Sequence, residues 1–252
     1  KMIATEAFDV DSRDGKWGGG YCTEFADYEQ VFILANFNGS ADDVDVVTHE
    51  FGHAFAMEQA FQYGDFEMGV GGMETAECHS MSMEYLSWKY MDKFFEDVKG
   101  YKKRHLSEGL SFLPYGVIVD EFQHKIYENP ELTPAERKAE WNKLESKYRP
   151  YMSTKGIPYL EEGTRWQFQM HIFETPFYYI DYVLASTVAM AFLVSSRKDY
   201  DLALKKYIEL SRAGGTKFFS QLVKDAGVAY PFGKGTLEEL GKEILRVLEE
   251  LK

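Results

Sequence analysis

Basic residues are in short supply in this 252-residue chain: 28 lysines and arginines stand against 41 aspartates and glutamates, a formal net charge of −13. Nucleic acid is held through clustered Lys and Arg on its phosphates, so it is not an expected partner. Cysteine is scarcer still. Cys22 and Cys78 alone cannot form a disulfide framework, and the expected home is a reducing compartment, the cytoplasm. No run of 18 apolar residues occurs, so neither a membrane span nor a membrane partner is expected. The N-terminal "KMIATEAFDVDSRDG" lacks the apolar stretch of a secretory leader. It opens on Lys1 rather than methionine, as a piece of a longer chain would. A phosphate loop is also missing, because Gly18 to Gly20 are not part of a G-x-x-x-x-G-K-[ST] pattern.

What is present suffices for a substantial core, with 45% hydrophobic and 16% aromatic residues. Residues 8 to 38 read as β and turn: Asp14-Gly15, the glycine run, then the β-formers "VFILANF" (31–37) ahead of the turn signal Asn38-Gly39. From Ser40 the pattern is helical. Ser40 and Asp43 make an S-x-x-D capping signal, and Val44, Val47, Phe51, Ala54 and Phe55 follow at helical spacing. Further helices are expected from Met73 to about Glu96, over 113–130 up to Asn129-Pro130, and over 133–149 behind Thr133 and Pro134. Two more should flank Pro176 within 165–196, one should end at Gly214-Gly215, and the C-terminal tail is amphipathic. The expected fold is mainly α with a small β-sheet near the N-terminus, residues 1–252 forming a single domain.

The stretch "VVTHEFGHAFAM" (46–57) sets His49 and His53 four apart, with Glu50 directly after the first. On a helix the two imidazoles project from one face about 6 Å apart, which suits two corners of a zinc tetrahedron. Glu50, offset by one residue, does not share the metal corner and is placed to take a proton from a metal-activated water. The competing reading is an ordinary helix carrying three polar residues. A third histidine in the pattern H-E-x-x-H-x-x-G-x-x-H is absent: Ala56 and Gln59 stand at those positions. The remaining candidates are glutamates in "GMETAECHSMSMEYLSW". Glu77 and Glu84, seven apart, share a helix face and Glu74 lies near it, so spacing alone leaves all three open. His79 points elsewhere on that helix, and Cys78 reads as a small buried hydrophobe.

"HEFGHAF" followed by "ETAECHSMSMEYL" resembles the thimet oligopeptidase and oligoendopeptidase F family of zinc metallopeptidases. The likeness covers nearly the whole chain, including "GGGYCTEFADYEQVFILANFNGSADDVDVVTHEFGHAF", "FLPYGVIVDEFQH" and "FETPFYYIDYVLAS". It implies a zincin-like helical catalytic domain, the cofactor Zn²⁺, and oligopeptide substrates cleaved as by an endopeptidase, a metalloprotease among the hydrolases. In that family the third metal ligand sits in an Ala-Glu or Val-Glu step with another glutamate seven residues on. Ala76-Glu77 and Glu84 match, so the resemblance assigns His49, His53 and Glu77 to zinc and makes Glu84 a candidate to orient a ligand histidine.

The family also has a histidine followed by tyrosines on a late helix that hold substrate and transition state. Here "MHIFETPFYYIDYVLAS" supplies His171, Tyr178, Tyr179 and Tyr182. The match is imperfect: Thr175 or Pro176 stands where one branch has tyrosine. Tyr182 aligns most securely, while Tyr178 and Tyr179 compete for the second role. Tyrosines at helical spacing otherwise serve the core. In such peptidases an edge strand beside the motif pairs with extended substrate, and strand 31–37 lies just ahead of it. The stretch "GGGYC" (18–22) reads either as backbone free to approach bound peptide or as a plain mobile loop. Glu121 and His124 form an E-x-x-H pair that lacks a partner motif, so His124 is expected on an ordinary helix face. Family members carry a large N-terminal helical region that has no counterpart here. A zinc- or peptide-binding helical module without turnover of its own is therefore the competing function.

Overall fold

Val31, Ile33 and Ala35 turn to one side of a strand and are buried, as the period-2 alternation of a half-covered sheet requires. In the computed structural model, which describes residues 1–64, 69 and 71–252, this strand, β3 (Gln30–Phe37), is the centre of a three-stranded sheet. β1 (Phe8–Asp11) runs parallel to it on one side and β2 (Tyr21–Phe25) antiparallel on the other. Strand 31–37 is therefore not an edge, and the expectation that it receives extended peptide is corrected. Its N–H and C=O groups already face two neighbours. The Lys16 side chain, 2% exposed, ties the sheet together: its Nζ donates to the carbonyls of Asp9 and Asp11, at 2.9 Å each, and of Ala35.

α1 (Ala41–Ala60) begins at the expected capping box, and Asp43 Oδ2 accepts from the backbone N–H of both Ser40 and Asn38 at 2.8 Å. The helix buries Val44 and Ala54, but Phe51 is exposed and packs its ring on Phe8. α2 (Met73–Leu86) is followed by a 3-10 segment, Ser87–Lys93, which fills most of the stretch expected to be α-helical to Glu96. α3 (Val98–Glu128) begins well before the expected position near residue 113. Pro114 suggests a start, since proline suits a first turn, but it lies inside the helix. The true start is marked by Asp97, whose Oδ1 accepts from the Gly100 N–H at 2.8 Å. α4 (Pro134–Tyr148) has the capping box of Thr133 and Glu136. α5 (His171–Glu174) and α6 (Tyr179–Lys198) flank Pro176, and α7 (Tyr200–Ala213) and α9 (Thr236–Glu250) match expectation. Between the last two lies α8 (Phe219–Ala226), for which the sequence pattern raised no expectation.

The chain forms two compact units. The first comprises residues 1–104 and 184–252, the second residues 105–183. In the first, Cys78, Leu86, Val188, Phe192, Tyr207 and Val223 share a buried cluster. By length and composition α6 is apolar enough to cross a membrane, which a search for unbroken apolar runs overlooks. Its residues 185–193 are all buried, and Ala185, Val188 and Phe192 belong to that cluster. In the second unit Ile118, Phe122, Trp141, Leu144 and Trp166 form a separate core.

Burial alone would raise the pKa of Asp43, but the N–H groups of Asn38, Ser40 and Gly39 outweigh it and hold the carboxyl below the usual range. A depressed folded pKa contributes stability that is complete above the unfolded value, about 3.9, and is lost as pH falls through the folded one. Melting curves across that acid range should therefore show a shallower pH dependence for Asp43→Asn than for the parent chain. Parallel curves would mean that Asp43 does not titrate differently on folding.

Candidate metal centre and tyrosine cluster

The two helices that carry the motif cross very closely. A Cβ built on Gly52 of α1 would lie 2.5 Å from the carbonyl oxygen of His79 and 2.5 Å from Cα of Ser80, both backbone atoms of α2. Only glycine allows this approach. It brings the imidazoles one turn apart on α1 up to a carboxylate of α2. Nε2 of His49 is 3.3 Å and Nε2 of His53 3.7 Å from Oε2 of Glu77, and the two rings are 5.0 Å apart at 79°. The three ligand atoms all lie within 4.8 Å of one another. Bonds near 2.1 Å in a tetrahedron separate ligand atoms by about 3.4 Å, so two imidazole nitrogens and one carboxylate oxygen at these spacings suit zinc.

Around this centre the other groups are placed by hydrogen bonds. Glu84 Oε1 is 2.7 Å from Nδ1 of His49, which turns Nε2 of that ring toward Glu77. Ser80, fully buried, donates to Glu77 Oε2 at 3.0 Å. Sequence reasoning missed Ser80, although a hydroxyl three residues after a ligand on the same helix is a readable signal. Glu74 does not join the cluster; its carboxylate folds back over Gly72 at the helix start. His79 is buried with Nδ1 3.4 Å from Ser211 Oγ, and burial pushes its pKa down to about 3. Cys78 is 1% exposed in the core, as expected. Glu50 is 7% exposed and accepts the backbone N–H of Cys22 in β2. The glycine run lies on this side: a Cβ on Gly20 would stand 2.6 Å from Val46 Cγ1 and 3.8 Å from Glu50 Oε1. Asn36 holds the run by donating to the carbonyls of Trp17 and Gly19 at 2.8 Å each.

The electrostatics of the cluster call for a cation. Burial disfavours a charged His49, yet Glu77 and Glu84 outweigh it and push its pKa up to about 10. Burial and that neighbouring charge push His53 down to about 4. Burial, helped by Glu77 and Glu84, raises Glu50 above the usual carboxylate range against the pull of His49 and the Cys22 N–H. A proton on His49 thus compensates buried carboxylates, a task a divalent ion performs better.

The other predicted residues lie in the second unit and come together there. The ring of His171 is 6.1 Å from Tyr178, 5.0 Å from Tyr179 and 5.8 Å from Tyr182. Tyr179 also packs on Phe112 and Tyr115, and burial raises its pKa far above the ordinary tyrosine value, so its hydroxyl stays protonated. Both Tyr178 and Tyr179 lie against Tyr182, with ring centroids 4.9 and 5.5 Å away. The chain enters this cluster through Phe177, which has a φ of 65°, rare for a non-glycine residue. Buried Gln123 accepts its N–H at 2.8 Å, and the rings of His124 and Tyr127 flank it. Glu121 pairs with Lys147 and Tyr148, while His124 lies 3.6 Å from Asp120, so the E-x-x-H pair does not converge.

Because two backbone segments occupy the space beside Gly52, Gly52→Ala should force α1 and α2 apart and pull Glu77 away from the imidazoles. Its expected cost is about 1–3 kcal/mol of stability, with a clear loss of zinc affinity in a chelator competition titration. Unchanged affinity would show that the close crossing does not govern the centre.

The family model described as Peptidase family M3 matches residues 1–242. Oligopeptidase PepF of Bacillus subtilis (strain 168) is 26% identical over 232 residues, covering 87% of this chain and 33% of its own length. The solved structure of PZ peptidase A with an inhibitor is 46% identical with a TM-score of 0.93, over 99% of this chain and 44% of that one. A structure assigned as an oligoendopeptidase F from Bacillus anthracis strain Ames is 40% identical with a TM-score of 0.84, over 99% of this chain and 42% of its own. The chain therefore spans less than half the length of these relatives. With the match running from its first residue into α9, the chain belongs to peptidase family M3.

Proposed function

We propose that residues 1–252 are the catalytic portion of a zinc-dependent endopeptidase acting on oligopeptides. The observation that carries this reading is the convergence of His49 Nε2, His53 Nε2 and Glu77 Oε2 beside a buried Glu50, in a chain of peptidase family M3. His49, His53 and Glu77 would hold the ion, with Glu84 and Ser80 fixing His49 and Glu77. When bound, zinc supplies Lewis acidity and lowers the pKa of water to near neutrality. Glu50 takes the proton of the attacking water and returns it to the leaving amine nitrogen. Its burial beside the ligands places it to hold that proton between the two steps. The family resemblance assigns Tyr182 and His171 as donors to the oxyanion of the tetrahedral intermediate, with Tyr178 or Tyr179 supporting substrate.

The competing reading is a zinc- or peptide-binding module without turnover of its own. Zinc-dependent cleavage of a short-peptide mixture by this chain separates the two; bound zinc without cleavage would leave the module.

Division of labour among the carboxylates gives a sharper test. Glu50→Gln should keep its zinc and lose most turnover, whereas Glu77→Gln should lose affinity for the metal, since a neutral amide replaces an anionic ligand. Metal content measured alongside rate decides, and the opposite pattern would reverse the assignment. Tyr182→Phe should lower kcat by roughly 10²–10³-fold with little change in KM. A drop in melting temperature at normal kcat would return Tyr182 to the core.

A further inference from the structure

A neutral imidazole donates through one ring nitrogen only, and the partner of the other nitrogen decides which. Nδ1 of His171 lies 2.6 Å from Nε2 of Gln169. The oxygen of that same amide, Oε1, accepts from the Tyr115 hydroxyl at 3.0 Å. The guanidinium carbon of Arg165 lies 5.2 Å from the Tyr115 ring centroid. A hydroxyl beside that positive charge turns its hydrogen away from it, toward the amide oxygen of Gln169. Tyr115 donates to Gln169 Oε1, and Gln169 Nε2 donates to His171 Nδ1. An Nδ1 that accepts carries a lone pair, which leaves the ring proton on Nε2.

We propose that Gln169 is a positioning residue that fixes His171 in its Nε2–H tautomer and so makes it a hydrogen-bond donor. Without that constraint the ring could present a lone pair at Nε2, which would repel an oxyanion. The link to catalysis rests on the peptidase reading above; the tautomer itself does not. The four residues occupy successive layers of one unit. Tyr115 is half-buried against Trp141 and Tyr179, and Trp166, next to Arg165, is 8% exposed. The order of donors is therefore built into packed side chains rather than left to solvent.

Gln169→Glu tests the idea because it keeps the size and the hydrogen bond but reverses its polarity. A carboxylate only accepts, so it should draw the proton to Nδ1 and strip it from Nε2. Histidine-labelled protein, with and without zinc, is compared by ¹⁵N NMR at about pH 9, well above the ordinary imidazole pKa of about 6.5. His171 should show a protonated Nε2 in the parent chain and a protonated Nδ1 in Gln169→Glu, with equal zinc content. On a fluorogenic peptide at the same pH, kcat should fall about 10²-fold while KM changes little. A merely structural role for Gln169 would be satisfied by glutamate and would leave kcat unchanged. If Gln169→Glu does not fold, Tyr115→Phe removes the upstream donor, frees the amide to turn over, and should shift the His171 signals toward a mixture of tautomers. A protonated Nδ1 in the parent chain, or the same tautomer in parent and Gln169→Glu, would overturn the proposal. A switched tautomer at unchanged kcat would overturn its catalytic part. The expected ¹⁵N pattern in a parent chain that cleaves no peptide would sink the peptidase reading and leave the tautomer assignment standing.

Discussion

The close crossing of α1 and α2 at Gly52 is the constraint on which the candidate metal centre depends. At this crossing the imidazoles of one helix meet a carboxylate of the other at 3.3 and 3.7 Å. The crossing places Gly52 against the carbonyl of His79, and that carbonyl is further held by the Tyr207 hydroxyl of α7 at 2.9 Å. The buried carboxylates gathered there have partners. Glu77 meets Ser80 and the histidines, Glu84 meets His49, and Glu50 meets the Cys22 N–H. Buried charges without such partners are costly, so a helix pair this polar is stable only as a complete set.

That polarity also explains the unusual character of α1. An amphipathic helix normally buries its apolar stripe and exposes its charges. Here Glu50 is buried while Phe51, one residue on, is exposed. The helix is faced on two sides, by the sheet through Ala54 and by α2 through Gly52, and its functional side chains emerge between them. Burial of a carboxylate there raises its pKa above that of an exposed glutamate.

Much of this was legible in the sequence, and the reasons differ by element. The capping boxes at Ser40 and Thr133, the alternation in 31–37 and the spacing of His49, Glu50 and His53 are local signals, and local chemistry determined the outcome. The choice among Glu74, Glu77 and Glu84 was not local. All lie near one face of α2, and the resemblance to the family favoured Glu77 where spacing did not. Pro114 misled because its helix-starting preference is weaker than the packing of a helix running from Val98. The place of β3 at the centre of its sheet depends on pairing across the chain, which no property of residues 31–37 announces. Gly52 stood in plain view inside the motif, but its role appears only when α2 is laid against it.

The two groups of predicted site residues also differ in how they are built. The histidines and glutamates of the first unit are set by a backbone approach and by charge, so that each carboxylate has a stated partner. The second unit sets His171 among aromatic rings, at the end of a hydrogen-bonded series through the neutral side chains of Tyr115 and Gln169. Its entry point, Phe177, holds a rare backbone conformation because Gln123, buried at 1% exposure, fixes its N–H. Neutral donors of fixed direction suit an oxyanion that exists only transiently, since they stabilise it without binding the neutral substrate equally well. An anionic ligand set suits a permanently bound cation. On the proposed reading, the two kinds of support are matched to the two kinds of charge they would meet.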